Sequence, residues 1–79
     1  MRITPSVAID LLRTYTKTTA MKPEKINKYK DLMKEGKWIE NRGLPLKLLD
    51  GELLDGRHRL TAIIRSGVTL SLPVWKISS

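Results

Sequence analysis

The chain has 79 residues, no cysteine, and fifteen Lys and Arg against eight Asp and Glu, a formal charge of +7. That length suits a single domain over residues 1–79, with a modest core that buries about 60% of the unfolded surface. Disulfides, thiolate metal sites and cysteine nucleophiles are excluded. No apolar run reaches the roughly 18 residues of a membrane span and no apolar signal segment opens the chain, so a cytoplasmic protein without a membrane partner is expected.

In chain order, residues 1–4 read as a short strand or extended lead-in. Thr4-Pro5 is a helix start: an oxygen-bearing N-cap, then proline where its missing N–H costs nothing. Ala8, Leu11, Leu12 and Tyr15 recur at helical spacing, which predicts a first helix over about residues 5–15. Residues 16–22 read as a loop. Pro23 opens a second helix whose apolar face is Ile26, Tyr29, Leu32 and Met33, and Glu35-Gly36 ends it. Asn41-Arg42-Gly43 reads as a turn.

Residues 44–49 predict a strand, with Pro45 confined to its start. Asp50-Gly51 is the strongest hairpin signal in the chain, and Glu52 to Leu54 would return. Leu60, Ile63 and Ile64 mark a third helix ended by Ser66-Gly67. A last strand over residues 70–77 is interrupted by Pro73. The expected fold is a small α+β domain of about three helices and a small mixed sheet, in the order (β)ααββαβ.

The stretch LLDGRHRLTAII, residues 53–64, carries the chemistry. Arg57, His58 and Arg59 stand at a helix start, where the backbone dipole is already positive and Asp or Glu is the usual choice. A helix N-terminus offers unpaired N–H groups to an anion. Gly56 would let a ligand approach the backbone, and Asp55 would cap the helix or hold the turn. Arg57 and Arg59 bring planar forks suited to phosphate oxygens. His58 would donate to phosphate or titrate near neutrality. The competing reading is plain capping with solvated charge. No second histidine or cysteine exists to share a metal with His58, so no metal site is expected.

The run Leu54-Asp55-Gly56-Arg57-His58-Arg59-Leu60-Thr61-Ala62 resembles the D-G-x-H-R-x-x-A signature of the ParB/sulfiredoxin-like superfamily. Ile3-Thr4-Pro5, Tyr29 to Met33, Gly36-Lys37-Trp38, Ser66-Gly67-Val68 and Pro73-Val74 resemble flanking blocks of phage and bacterial ParB-like proteins, in the same order, so the likeness spans residues 3–77. It implies a nucleotide-phosphate site at a helix N-terminus, with Gly56, His58 and Arg59 on the phosphate and Asp55 shaping the turn. Superfamily members include CTP-dependent DNA-partition clamps, sulfiredoxins and a free-serine kinase. Arg57 stands where sulfiredoxins have their catalytic cysteine, which excludes that chemistry. It also replaces the clamps' glutamate, and Thr61 replaces a later arginine, which counts against CTP hydrolysis. The residues demand no cofactor; the resemblance would bring a nucleoside triphosphate with Mg²⁺.

Lys30, Lys34 and Lys37 fall at helical three- and four-residue spacing, and such a stripe either follows a phosphate backbone or is simply solvated. Trp38 and Trp75 could stack on bases, although a chain without phenylalanine needs at least one of them in its core. The expected function is therefore nucleic-acid binding, of DNA, by a small phage-type ParB-like protein. A phosphate or nucleotide would sit at Asp55, Gly56, Arg57, His58 and Arg59, and Lys30, Lys34 and Lys37 would widen the footprint with Arg57 and Arg59. Binding rather than turnover is expected. The alternatives are an effector that takes over a host protein, acting in the host cytoplasm with a vestigial nucleotide site, and a nucleotide-dependent phosphotransferase or nuclease using Asp55 or His58.

Overall fold

Proline placement and turn chemistry set most of the element boundaries. The computed structural model describes residues 1–16, 20–40 and 43–78. The chain runs β1 (Arg2–Ile3), α1 (Pro5–Arg13), α2 (Pro23–Lys34), β2 (Leu46–Leu49), β3 (Glu52–Asp55), α3 (Arg57–Ser66), β4 (Leu70–Ser71) and β5 (Val74–Ile77). Among the described residues, three helices and two small sheets make an α+β fold. No helix among the described residues is long and apolar enough to cross a membrane. Lys17, Thr18 and Thr19 of the expected loop, and Asn41 and Arg42 of the expected turn, lie outside the described residues.

At the start of α1 the Thr4 hydroxyl accepts from the Val7 amide at 3.1 Å, with Pro5 in the first turn, as Thr-Pro predicts. The helix stops two residues short of the expected end. Thr14 donates its hydroxyl to the Leu11 carbonyl at 2.6 Å. The same oxygen accepts from the Leu53 amide of β3 at 2.8 Å, which ties the end of α1 to the sheet. At the end of α2, Lys37 N–H donates to the Leu32 carbonyl at 2.9 Å and Gly36 N–H to the Met33 carbonyl at 3.2 Å, the paired bonds of a Schellman turn. That turn carries Lys37 off the helix and breaks the expected lysine stripe. Lys30 and Lys34 stay on α2, while Lys37 pairs with Glu35 at 3.1 Å.

Asp50 and Gly51 both take positive φ, 50° and 85°, as a type I′ hairpin demands. The hairpin sets β2 antiparallel to β3, and β5 adds alongside β2 in parallel, giving the order β3-β2-β5. The single last strand expected over residues 70–77 is two strands in two sheets. Proline has no N–H to continue a ladder, so the chain changes partner at Pro73. β4 pairs antiparallel with β1, and β5 joins β2. Leu72 between them is fully buried and exchanges two main-chain bonds with Met1.

The core gathers Ile3, Leu46, Leu60, Ile63 and Leu72, all fully buried. α3 packs against both α1 and α2, so its first turn lies among three elements: the end of β3, the α1 side and the α2 side.

Candidate functional site

β3 passes into α3 through one residue. Asp55 is the last residue of the strand, and Gly56 is the N-cap, with φ 111° and ψ 12°. Gly56 at the N-cap has no side chain to cap the helix, and the first turn holds no acidic residue, so Asp55 is not the cap that the sequence allowed. Gly56 also departs from expectation. A Cβ built there would lie 2.1 Å from Leu46 Cδ2, so the Cβ side of Gly56 is filled by a core leucine. The glycine is required by packing and by its positive φ together.

Successive helical residues turn by about 100°, so Arg57 and Arg59 leave α3 in nearly opposite directions. The Arg57 guanidinium stacks over the Tyr15 ring, 4.5 Å from its centroid. Arg59 lies on the other side, half-buried, and donates to the Leu44 carbonyl. The two arginines expected around one phosphate are therefore divided between two places. Burial pushes the Arg59 guanidinium down from its ordinary value, while Asp55 and then Tyr29 act to hold it up. It stays cationic, as arginine does throughout the accessible range.

His58 has a task the sequence did not show. Its Nε2 accepts from the Lys22 amide at 3.0 Å, which joins the start of α3 to the N-cap of α2. A neutral ring that accepts at Nε2 carries its proton on Nδ1. Burial, then the charges of Lys25, Arg57 and Lys22, push the imidazole below its ordinary value of 6.5, and only Asp55 opposes them. Beside the expectation of a histidine that donates to phosphate or titrates near neutrality, the structure shows Nε2 engaged by Lys22 and surroundings that favour the neutral ring.

On the Arg59 side a pocket of about 260 Å³ opens between α2 and α3. Lys25 and Tyr29 of α2 line it with Trp38, Leu44, His58 and Arg59, and Asp55 stands at its edge. Tyr29 and Trp38 meet edge-on, centroids 5.1 Å apart and planes at 78°, and the Lys25 ammonium sits 5.8 Å from the Tyr29 centroid. The Trp38 indole N–H is buried without an acceptor among the described residues. Such an orphan donor costs about 1–3 kcal/mol. On the Arg57 side lies a second hollow of about 240 Å³, walled by Tyr15, Leu54 and Arg57. Asp55, Gly56 and His58 border both.

The larger pocket offers two basic side chains, Lys25 and Arg59, against one carboxylate, Asp55, with aromatic residues in its lining. That arrangement suits a ligand with an anionic end and a flat apolar body. Lys30, Lys34 and Lys37 line neither hollow. Sequence reasoning missed Lys25 and Tyr29 as site residues, although their four-residue spacing places them on one stripe of α2. It also missed Tyr15, which it assigned to the helix face. No group of three His, Cys, Asp or Glu side chains that could hold a metal occurs among the described residues. No protein-family model, no curated protein and no solved structure matches the chain.

Proposed function

We propose that this chain binds nucleic acid through its basic surface and seats a phosphate-bearing nucleotide in the pocket at the start of α3. The observation that carries the reading is the pocket itself. It sets Lys25 and Arg59 against the Tyr29–Trp38 pair, beside a helix N-terminus whose N-cap is the glycine Gly56. The aromatic walls take a base or sugar face, and the cations with the backbone N–H groups take phosphate. The resemblance of residues 54–62 to the ParB/sulfiredoxin-like signature supports the same place on sequence grounds, and we assign the chain to a small phage-type ParB-like group on that basis. Binding is favoured over phosphotransfer or nuclease turnover because His58, one of the two residues such chemistry would use beside Asp55, has its Nε2 engaged by the Lys22 amide.

The test is DNA binding across a salt series, for the natural chain, Lys25→Gln and Arg59→Gln. Each substitution removes one cation from the pocket, so affinity falls and the slope of log affinity against log salt shrinks by about one. Lys25 is exposed, so its variant keeps the fold even if Arg59→Gln does not. An unchanged slope in Lys25→Gln contradicts the reading.

A second reading, an effector that grips a host protein, rests on a different observation. Trp75 is 56% exposed on the sheet with the Lys47 ammonium over its ring, and Leu44 and Ile39 are exposed at 73% and 57%. A host partner retained after Arg57→Ala with Arg59→Ala, and lost on Trp75→Ala, favours it.

A further inference from the structure

The two hollows beside the α3 start are neighbours. They share Asp55, Gly56 and His58 as common border, and each pairs an aromatic ring with a cation. On one side the Lys25 ammonium sits 5.8 Å from the Tyr29 ring centroid, and on the other the Arg57 guanidinium carbon sits 4.5 Å from the Tyr15 centroid. A single nucleotide uses one such hollow and leaves the other without a role. A polymer of alternating flat bases and phosphates uses both.

We infer that the ligand is single-stranded nucleic acid, laid across the start of α3 with successive bases in the two hollows and the linking phosphate over the helix start between them. This rests on the nucleotide reading of the larger pocket and extends it to a second subsite and a class of polymer. Bases of a duplex are stacked and paired, so they present only edges and cannot each enter a hollow lined by an aromatic ring and a cation. A guanidinium over a tyrosine ring is a planar cationic platform on which a free base stacks irrespective of its identity. The inference therefore carries no base specificity and holds for DNA and RNA strands alike.

The experiment measures binding of thymidine monophosphate, a thymidine dinucleotide, an eight-residue oligothymidylate, an eight-residue oligouridylate and an eight-base-pair duplex. The proteins are the natural chain, Tyr15→Leu and Arg57→Gln. Tyr15→Leu keeps apolar packing, and an amide spectrum confirms its fold. The dinucleotide should bind about tenfold more tightly than the monophosphate, as one added stacked base provides. Both single strands should exceed the duplex. Tyr15→Leu should lose that gain, and Arg57→Gln reports the same subsite should the tyrosine variant fail to fold. Monophosphate binding with no gain for the dinucleotide, or a duplex bound as tightly as the single strands, overturns the inference and leaves the nucleotide pocket standing. No binding of the monophosphate at all overturns both.

Discussion

At residue scale, Gly56 shows how one position answers to the fold and the site together. Its φ of 111° is closed to other side chains without strain, and a Cβ would meet Leu46, which is fully buried. Overpacking and left-handed strain together put Gly56→Ala at about 3 kcal/mol of lost stability. Gly51, also at positive φ, has open space where its Cβ would go, so Gly51→Ala should cost only about 1 kcal/mol. Urea unfolding of the two variants checks the difference, and equal losses would show that Leu46 yields. The residue types of the DGRHR run were legible in the sequence as a chemical cluster. Their directions were not, because a string places Arg57 and Arg59 side by side while a helix sends them to different faces. The Leu46 contact at Gly56 and the His58 bond to Lys22 join residues ten and 36 positions apart in the chain, and no local pattern announces such pairings.

At the scale of elements, two side chains tie helices to their neighbours. Thr14 Oγ1 serves the Leu11 carbonyl and the Leu53 amide, so Thr14→Val leaves a part-buried N–H without an acceptor. A loss of about 2 kcal/mol is expected, with Thr14→Ser keeping most of the stability, read from thermal or urea unfolding. His58 ties α3 to α2 and gives the link a pH dependence. The folded chain protonates His58 less readily than the unfolded chain does, so between the two values the unfolded state holds more protons. The neutral ring's contribution is fully present above the ordinary value of 6.5 and is lost as pH falls through the lower folded value. Between pH of about 7.5 and about 5, the natural chain should lose more of its urea midpoint than His58→Gln does. Parallel losses would contradict that link. Helix starts and the hairpin were readable here, since Thr4-Pro5, Pro23 and Asp50-Gly51 act through their nearest neighbours. The division of the last strand was half-readable: Pro73 announced a break, but not that the chain would change sheets.

At the scale of the whole molecule, charge and shape are distributed differently from what composition suggests. Among the described residues, Lys30, Lys34 and Lys37 do not form one stripe. Lys37 leaves α2 to meet Glu35, Lys30 approaches Asp31 at 3.8 Å, and Lys25 with Arg59 faces the pocket. Long-range attraction to a polyanion comes from the total, and seating comes from the few cations beside the aromatic walls. The most direct test of that claim is an amide-resolved NMR titration with a nucleoside triphosphate at moderate salt, with and without Mg²⁺. Saturable shifts concentrated at Lys25, Tyr29, Trp38 and Gly56 through Arg59 are the predicted result. Weak, unsaturated shifts spread over Lys28, Lys34 and Lys37, equal for every nucleotide, would contradict it and leave the surface charge as the whole of the binding.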